Sequence, residues 1–248
     1  MDSQRIEALE RATVSAVSPE AQTELAGWVL PFDGGTVARA RSAVPVSHAE
    51  PALSILPEIE AAYARRGFAT MLRLPTLPAF DGFRTLLMQR GYGERIVTDV
   101  WVGAAARVFA ASTGPRAGLM DAPDAGWASV FLGEGFDPVD GASRVQKLGL
   151  ATGSLFATIR DEGCAVAAGA AAFSHGWASI HGMRTALDCR GRGLAARVLS
   201  TLAGAALERG CDEVFLQVAA DNNAAQSLYR RAGFERAWTY SYWVRKIA

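Results

Sequence analysis

Strand-like and helix-like segments alternate along the whole chain, which predicts an α/β (α+β) protein: a twisted, mainly antiparallel mixed sheet flanked by helices. Two further observations support that class. The 248 residues are 50% hydrophobic and 20% charged, so they can bury a sizeable core and do not read as disordered. A stretch near residue 90 also returns near residue 230, which predicts two related halves, residues 1–105 and 106–248.

Each element has a local reason. Residues 5–17 (RIEALERATVSAV) predict an opening helix. The runs WVLPFD and TVARARSAVPV flank Gly34-Gly35 and predict a hairpin turning at that glycine pair. Residues 53–66 place Leu56, Ile59, Ala62 and Tyr63 at three- and four-residue spacing and stop at Gly67, a helix. MLRL predicts a short strand, residues 83–90 a helix and residues 95–102 a strand. Residues 114–126, rich in Gly, Pro and Asp, predict a loop or linker. Two short helices (125–132 and 141–150) precede three strands, SLFATIR, CAVAAGAAAF and ASIHGMRT. Residues 193–209 carry Leu194, Val198, Leu202 and Ala205 on one helical stripe. EVFLQV is then a strand, residues 222–232 a helix and 234–244 extended.

The internal echo is gapless. LLMQRGYGERIVTDVWV at 86–102 lies over LYRRAGFERAWTYSYWV at 228–244, so Gly91 meets Gly233, Tyr92 meets Phe234 and Trp101 meets Trp243. The repeated unit is a helix, a glycine stop, an aromatic and a long strand.

Several function classes drop out. A net charge of +0 argues against nucleic acid as a partner, because phosphate binding wants a basic surplus. Cys164, Cys189 and Cys211 lack metal-ligand spacing, so no metal is expected, and an odd number is a poor disulfide framework. The polar opening MDSQRIEALERA is not a signal peptide. The longest apolar run, residues 164–173, is about half of what a membrane helix needs. The expectation is a cytoplasmic protein with no membrane partner.

The most informative segment is RGRGLAA, Arg190 to Ala196, directly after a strand and opening a helix. Gly191 and Gly193 remove the Cβ atoms that would keep a ligand off the backbone. Free N–H groups and the positive dipole end at a helix start make an anion cradle, with Arg190 and Arg192 beside it. A diphosphate is the natural guest. The Lys-Ser/Thr ending of a P-loop and the three glycines of a Rossmann turn are both missing. Further on, DNNAAQSLYRRAGF places Asn222 and Tyr229 two helical turns apart, on one face, with Asn222 able to cap the helix.

Arg190-x-x-Gly193-x-Ala195 followed by Asn222-x-x-Ala225-x-x-Leu228-Tyr229-x-x-x-Gly233-Phe234 strongly resembles the GNAT superfamily of N-acetyltransferases that use acetyl-coenzyme A. The resemblance is clear over residues 125–246. Residues 1–105 look like a second, eroded unit, as in tandem members of the superfamily. Leu87 stands there where Tyr229 stands in the later copy, and no cradle motif precedes it.

The resemblance implies direct acetyl transfer from acetyl-coenzyme A to a primary amine, carried by a small molecule or a peptide. It implies that the cradle (Arg190, Gly191, Arg192, Gly193, Leu194, Ala195, Ala196) holds the pyrophosphate. Met183, Arg184 and Thr185 would meet the pantetheine arm, with the Met183 amide as oxyanion donor, and Asn222 and Tyr229 would border arm and thiol. Tyr229 is the candidate acid. Many members carry a Glu base on the strand before the Asn/Tyr helix, but Gln217 stands here and cannot take a proton. His181 is the candidate base, expected on the same strand face as Met183 and Thr185 by period-two alternation, with water alone carrying the proton as the alternative. Trp177, Trp238, Tyr240 and Tyr242 either line an acceptor pocket or fill sheet faces. Cys189 is expected only to pack, and His175 and Asp188 to sit in turns. Because Gln217 replaces an acidic base, an acyl-coenzyme A-binding sensor without acceptor chemistry is the alternative.

Overall fold

The computed structural model describes residues 1–135 and 137–245. Helix α1 (Ser3–Ser15) starts at Asp2, whose carboxylate accepts from the Arg5 amide 2.9 Å away. Strands β1 (Ala21–Leu25) and β2 (Trp28–Phe32) form a hairpin, and β3 (Val44–Pro45) extends it to a three-stranded sheet.

The hairpin differs from expectation. It turns at Ala26-Gly27, both at positive φ (43° and 83°), the left-handed pair that a two-residue turn between twisted strands requires. At Gly34-Gly35 the chain instead loops into a 3-10 turn over Ala38–Ala40. The Asp33 carboxylate accepts from the Gly35 amide and from buried Lys147, which fixes that loop and draws Arg39 out of any strand.

Then follow α2 (Ile55–Ala64), β4 (Met71–Pro75), α3 (Asp81–Gln89), β5 (Tyr92–Ala104), α4 (Ala105–Phe109) and β6 (Gly118–Met120). Leu56, Ile59, Ala62 and Tyr63 are all buried on α2, as their spacing requires. The stretch 114–126 is not purely a loop: β6 pairs Gly118–Met120 with the next strand. The rest are α5 (Ala125–Leu132), α6 (Pro138–Leu150), β7 (Leu155–Asp161), β8 (Cys164–Ser174), β9 (Trp177–Thr185), α7 (Leu194–Glu208), β10 (Glu213–Ala219), α8 (Asn223–Arg231) and β11 (Glu235–Arg245).

One eight-stranded sheet runs β4-β11-β5-β10-β9-β8-β7-β6. Its pairs are antiparallel except β9 with β10. Strand β5, from the early part of the chain, inserts between β10 and β11, while β11 reaches back to β4. The echoed strands are therefore exchanged. Thr98 and Tyr240, equivalent positions in the echo, face each other where β5 and β11 cross the local two-fold.

Two faces flank the strands. On one, Ala167, Ala171, Ile180 and Leu216 pack against Val198, Leu199 and Leu202 of α7, with α4 and α8 alongside. The alanine-rich β8 suits this close approach: a Cβ at Gly169 would lie 2.7 Å from the Val198 Cγ1. On the other, Leu9 and Ala12 of α1 cover Trp177, Phe215 and Tyr240, while Trp127, Phe131 and Leu148 of α5 and α6 cover Phe156 and Ala170. Among the described residues no helix is long and apolar enough to cross a membrane.

Because β5 and β11 each complete the other half's strands, neither half should fold alone. We expect separately expressed fragments 1–113 and 114–248 to lack a cooperative melt, and co-expressed fragments to recover one. A sharp melt for either fragment by itself would contradict the exchanged pairing.

Candidate active site

Strands β9 and β10 pair only from Ala178–Val214 to Ile180–Leu216, then diverge. Beyond that point the two strands leave a notch with no pairing between 181–185 and 217–219. The notch opens into a cavity of about 1050 Å³ that runs from the start of α7, past α8, to α6 and the loop at 36–39.

On the α7 face lies the glycine loop. Gly191 (φ 78°) and Gly193 (φ 74°) are both left-handed, and a Cβ on either would meet nothing within 4 Å. The glycines thus satisfy backbone conformation and leave open space in front of the helix. No amide from Gly191 to Ala196 donates to a backbone carbonyl among the described residues; the nearest such bonds are Arg190 N to Leu187 O and Arg197 N to Gly193 O. These exposed donors coincide with the positive end of the 15-residue α7. The residues present therefore fit a diphosphate.

Tyr229 is buried on the same face, edge-on to Phe234, and its hydroxyl has no hydrogen-bond partner among the described residues. Burial pushes its pKa up to about 12. Asn222 caps α8: its side-chain oxygen accepts from the Ala225 amide, 3.1 Å away. Arg190, Met183, Arg184 and Thr185 line the cavity with Gly191, Gly193, Leu194, Ala195, Ala196, Asn222, Tyr229 and His181. Arg192 is the exception: its guanidinium turns away to Asp161 at 2.8 Å.

His181 does not share a face with Met183 and Thr185. Opposite Gly169, β9 carries a bulge at Gly182 (φ 60°), and the register jumps between Ala168–Arg184 and Ala170–His181. The bulge resets the alternation. Met183 packs into the α7-face core, whereas His181 bonds Ser179 on the α1 face. Gly182 cannot carry a side chain there, since a Cβ would sit 2.8 Å from Phe131 and 3.0 Å from Leu148. His181 is buried and its pKa lies well below the ordinary value, through burial first and then the charges of Arg39 and Arg144. It is a neutral imidazole at physiological pH.

The α1 side of the notch brings Gln217 and Tyr240 together with Arg39, Thr13, Arg144, Asp140 and Ile96, which the sequence did not single out. Gln217 accepts from Arg39 Nη1 and from the Tyr240 hydroxyl, both at 2.9 Å, and donates to Thr13 of α1 at 3.0 Å. Arg144 of α6 reaches Asp140 at 2.6 Å, and Thr36 donates to the same carboxylate at 3.0 Å. Burial pushes Asp140 up, but those hydrogen bonds outweigh it and leave the carboxyl below its usual range. Ile96, bulged out of β5 at φ 39°, lines the rim and is 65% exposed, a strained place for a β-branched residue. That strain was legible in no sequence pattern.

Of the aromatics, Tyr240 and Tyr242 line the cavity while Trp177 and Trp238 fill the α1-face core. Cys189 is buried beside the glycine loop, and Cys164, Cys189 and Cys211 are all free thiols. His175 sits exposed in a turn, and Asp188 is exposed in the short 3-10 helix Leu187–Cys189. No group of three or more potential metal ligands occurs among the described residues.

Comparison with known proteins fits this geometry. Residues 3–243 match the family model described as "Probable histone acetyltransferase Rv0428c C-terminal". No curated protein matches the sequence. Among solved structures, a GCN5-related N-acetyltransferase from Kribbella flavida is 17% identical, covers 99% of this chain and 96% of its own, and superposes with a TM-score of 0.72. A GNAT-family putative acetyltransferase from Novosphingobium aromaticivorans is 19% identical over 97% of this chain and 99% of its own, with a TM-score of 0.55. A tandem GNAT protein from the clavulanic acid biosynthesis pathway is 14% identical, covers 100% and 97%, and gives 0.58. The fold is that of the GNAT acetyltransferases, and the chain belongs to the family that the matching model describes.

Proposed function

We propose that the chain moves an acetyl group from acetyl-coenzyme A to a primary amine, by direct transfer, in the notch between β9 and β10. The observation that carries this reading is the run of unpartnered amides from Gly191 to Ala196 at the start of α7, facing open space. Acetyl-coenzyme A, when bound, supplies an acyl group activated as a thioester.

The chain's own residues do the rest. The amides at 191–196 and the α7 dipole grip the diphosphate. The unpaired β9 backbone offers hydrogen bonds along the arm, and the Met183 amide polarises the acetyl carbonyl, a device worth roughly 3–4 kcal/mol. Tyr229, protonated at any working pH, donates to the sulfur as it departs; its raised pKa makes it a hydrogen-bond donor more than a full proton source. His181, neutral beside Ser179, accepts the proton that the amine sheds toward the α1 face.

We read residues 1–105 as a degenerate copy and residues 106–248 as the catalytic unit. The echo, the exchanged strands and Leu87 in the place of Tyr229 support this. The early half then contributes acceptor wall, not donor binding. The acceptor is a small-molecule or peptide amine, and the three free thiols suit a cytoplasmic enzyme.

One observation favours the sensor reading: Gln217 cannot titrate, and His181 and Asp140 are both held below their usual ranges, so each is a weaker base than the free side chain. Coenzyme A that raises the melting temperature while no amine elicits thiol release would establish that reading.

Three outcomes are expected of the enzyme. Gly193→Val places a branched side chain at left-handed φ, in the open space before the amides. It should abolish the melting shift given by coenzyme A while lowering the free protein's melting temperature by only about 2–8 °C, the effect of roughly 1–2 kcal/mol. Retention of the full coenzyme shift would remove the cradle from the mechanism. Tyr229→Phe should lower kcat at least tenfold with donor affinity unchanged, read by thiol release and calorimetry.

The third concerns stability. His181 has a lower pKa folded than its ordinary value near 6.5. Below about pH 6.5 the unfolded chain takes up a proton that the native chain refuses, so stability falls there by up to about 1.4 kcal/mol per pH unit. Above that pH it is unaffected. His181→Asn should flatten the denaturant-measured slope between pH 6.5 and 5 relative to the unaltered chain; identical slopes would mean the imidazole charges freely.

A further inference from the structure

On the α1 side of the notch a cation stands without a carboxylate partner among the described residues. On the α1 side, half-buried Arg39 has one hydrogen-bond partner, the amide oxygen of Gln217, and no carboxylate pairs with it among the described residues. The nearby carboxylate Asp140 is already engaged by Arg144 through one oxygen and Thr36 through the other. Apart from Arg184, the remaining polar groups beside Arg39 are neutral: His181, Gln217, Tyr240 and Tyr242. A partly desolvated guanidinium beside neutral groups is an incomplete ion pair.

We infer that the acceptor carries a carboxylate close to its amine, and that Arg39 selects it, with Arg144 beside it. This rests on the acyl-transfer reading of the cavity. Position separates this cation from the donor's phosphates. Those belong to the glycine loop on the α7 face, whereas Arg39 lies on the α1 face, bonded to the first β10 residue beyond the last paired position. An anion at Arg39 is therefore within a few bonds of an amine entering the notch, the spacing of an amino acid or a compact derivative. The field of these arginines is felt inside the cavity. Arg39 and Arg144 both disfavour a protonated His181, and Arg39 lowers the Tyr242 phenol against the upward push of burial and of Tyr240. A lysine-rich polypeptide would meet Arg39, Arg144 and Arg184 on its way in and be repelled.

The test compares matched acceptors: ω- and α-amino acids against the same molecules with the carboxylate replaced by carboxamide or hydrogen, and a lysine-rich basic peptide, all by thiol release from acetyl-coenzyme A. We expect kcat/KM to favour the carboxylate member at least tenfold, chiefly through KM. Arg39→Gln should reduce that ratio at least tenfold, and Arg39→Lys should restore most of it. An unchanged ratio in Arg39→Gln, or the basic peptide as preferred acceptor, would overturn the assignment. Calorimetry of N-acetylated amino acids against their amides, on protein loaded with coenzyme A, reads the same site without turnover. Selective binding of the acids that is lost in Arg39→Gln would support the anion site even if no acceptor is acetylated, in which case acyl transfer alone fails. Equal binding of acids and amides would sink the anion site.

Discussion

The structure turns on the three-residue pairing between β9 and β10. Each outer neighbour, β8 and β5, stays paired along far more of its partner, so the divergence is imposed from both sides and is not a frayed edge. A buried backbone that has lost its ladder must find other partners, because unpaired N–H and C=O groups are expensive away from water. In a sheet closed on both faces by helices, the space between the strands supplies that partner only when something extended occupies it. The bulge at Gly182 sets the angle: Phe131 and Leu148 fill the volume where a side chain would be, which locks the backbone in its left-handed turn. Shape at the notch therefore comes from packing against α5 and α6, some distance in sequence from the strand it bends.

The two faces are assembled from different parts of the chain. The α7 face uses α7 and α8, both late, with α4 beside them. The α1 face draws on α1, the loop at 36–39, the β5 bulge and α6. Buried ion pairs hold these pieces. Lys147 of α6 meets Asp33, almost fully out of solvent, and Arg73 of β4 lies 2.7 Å from Glu10 of α1 with both side chains 1% exposed. The second pair is out of line for a hydrogen bond, and Arg73 Nε and Nη1 lack acceptors, so Coulomb attraction and the Tyr240 ring 5.0 Å away carry it. Such pairs contribute little net stability compared with apolar packing, yet removing one member strands the other. Their effect is to fix where α1 and α6 sit, and hence where Arg39 and Arg144 point.

What was legible in the sequence was local. Helical spacing located α2 and α7, the Asn222 cap located α8, and the glycine loop announced the free amides at 191–196. Three features were not. A glycine pair is a strong turn signal and points the first hairpin to Gly34-Gly35, but Asp33 binds its own loop and Lys147, while the unremarkable Ala26-Gly27 takes the left-handed pair. Alternation carried through Gly182 puts His181 on the wrong face, although a glycine inside a strand is itself a bulge signal. Arg39 and Arg144 were invisible as a pair, since only the return of α6 over the sheet brings them together. Nothing within ten residues of either points to His181 or Gln217.

For the acyl transfer proposed above, the charge pattern also bears on how the amine loses its proton. A primary amine near pKa 10.4 is almost wholly protonated at neutral pH, and the ammonium cannot attack a thioester. The usual remedy is a carboxylate or imidazole that titrates near 7, yet Gln217 is fixed by three hydrogen bonds and His181 is held neutral by burial, Arg39 and Arg144. The positive field that adds to burial in keeping His181 neutral acts on any cation brought to the same spot. Each unit by which it lowers the amine's pKa raises the neutral fraction tenfold, for about 1.4 kcal/mol of disfavoured ammonium. A carboxylate on the acceptor would anchor that amine despite the repulsion, so one set of guanidiniums could both hold the acceptor and strip its proton. In that arrangement His181 need only relay a proton that the arginines have already made unwelcome, and a glutamate in the place of Gln217 would work against it by neutralising Arg39.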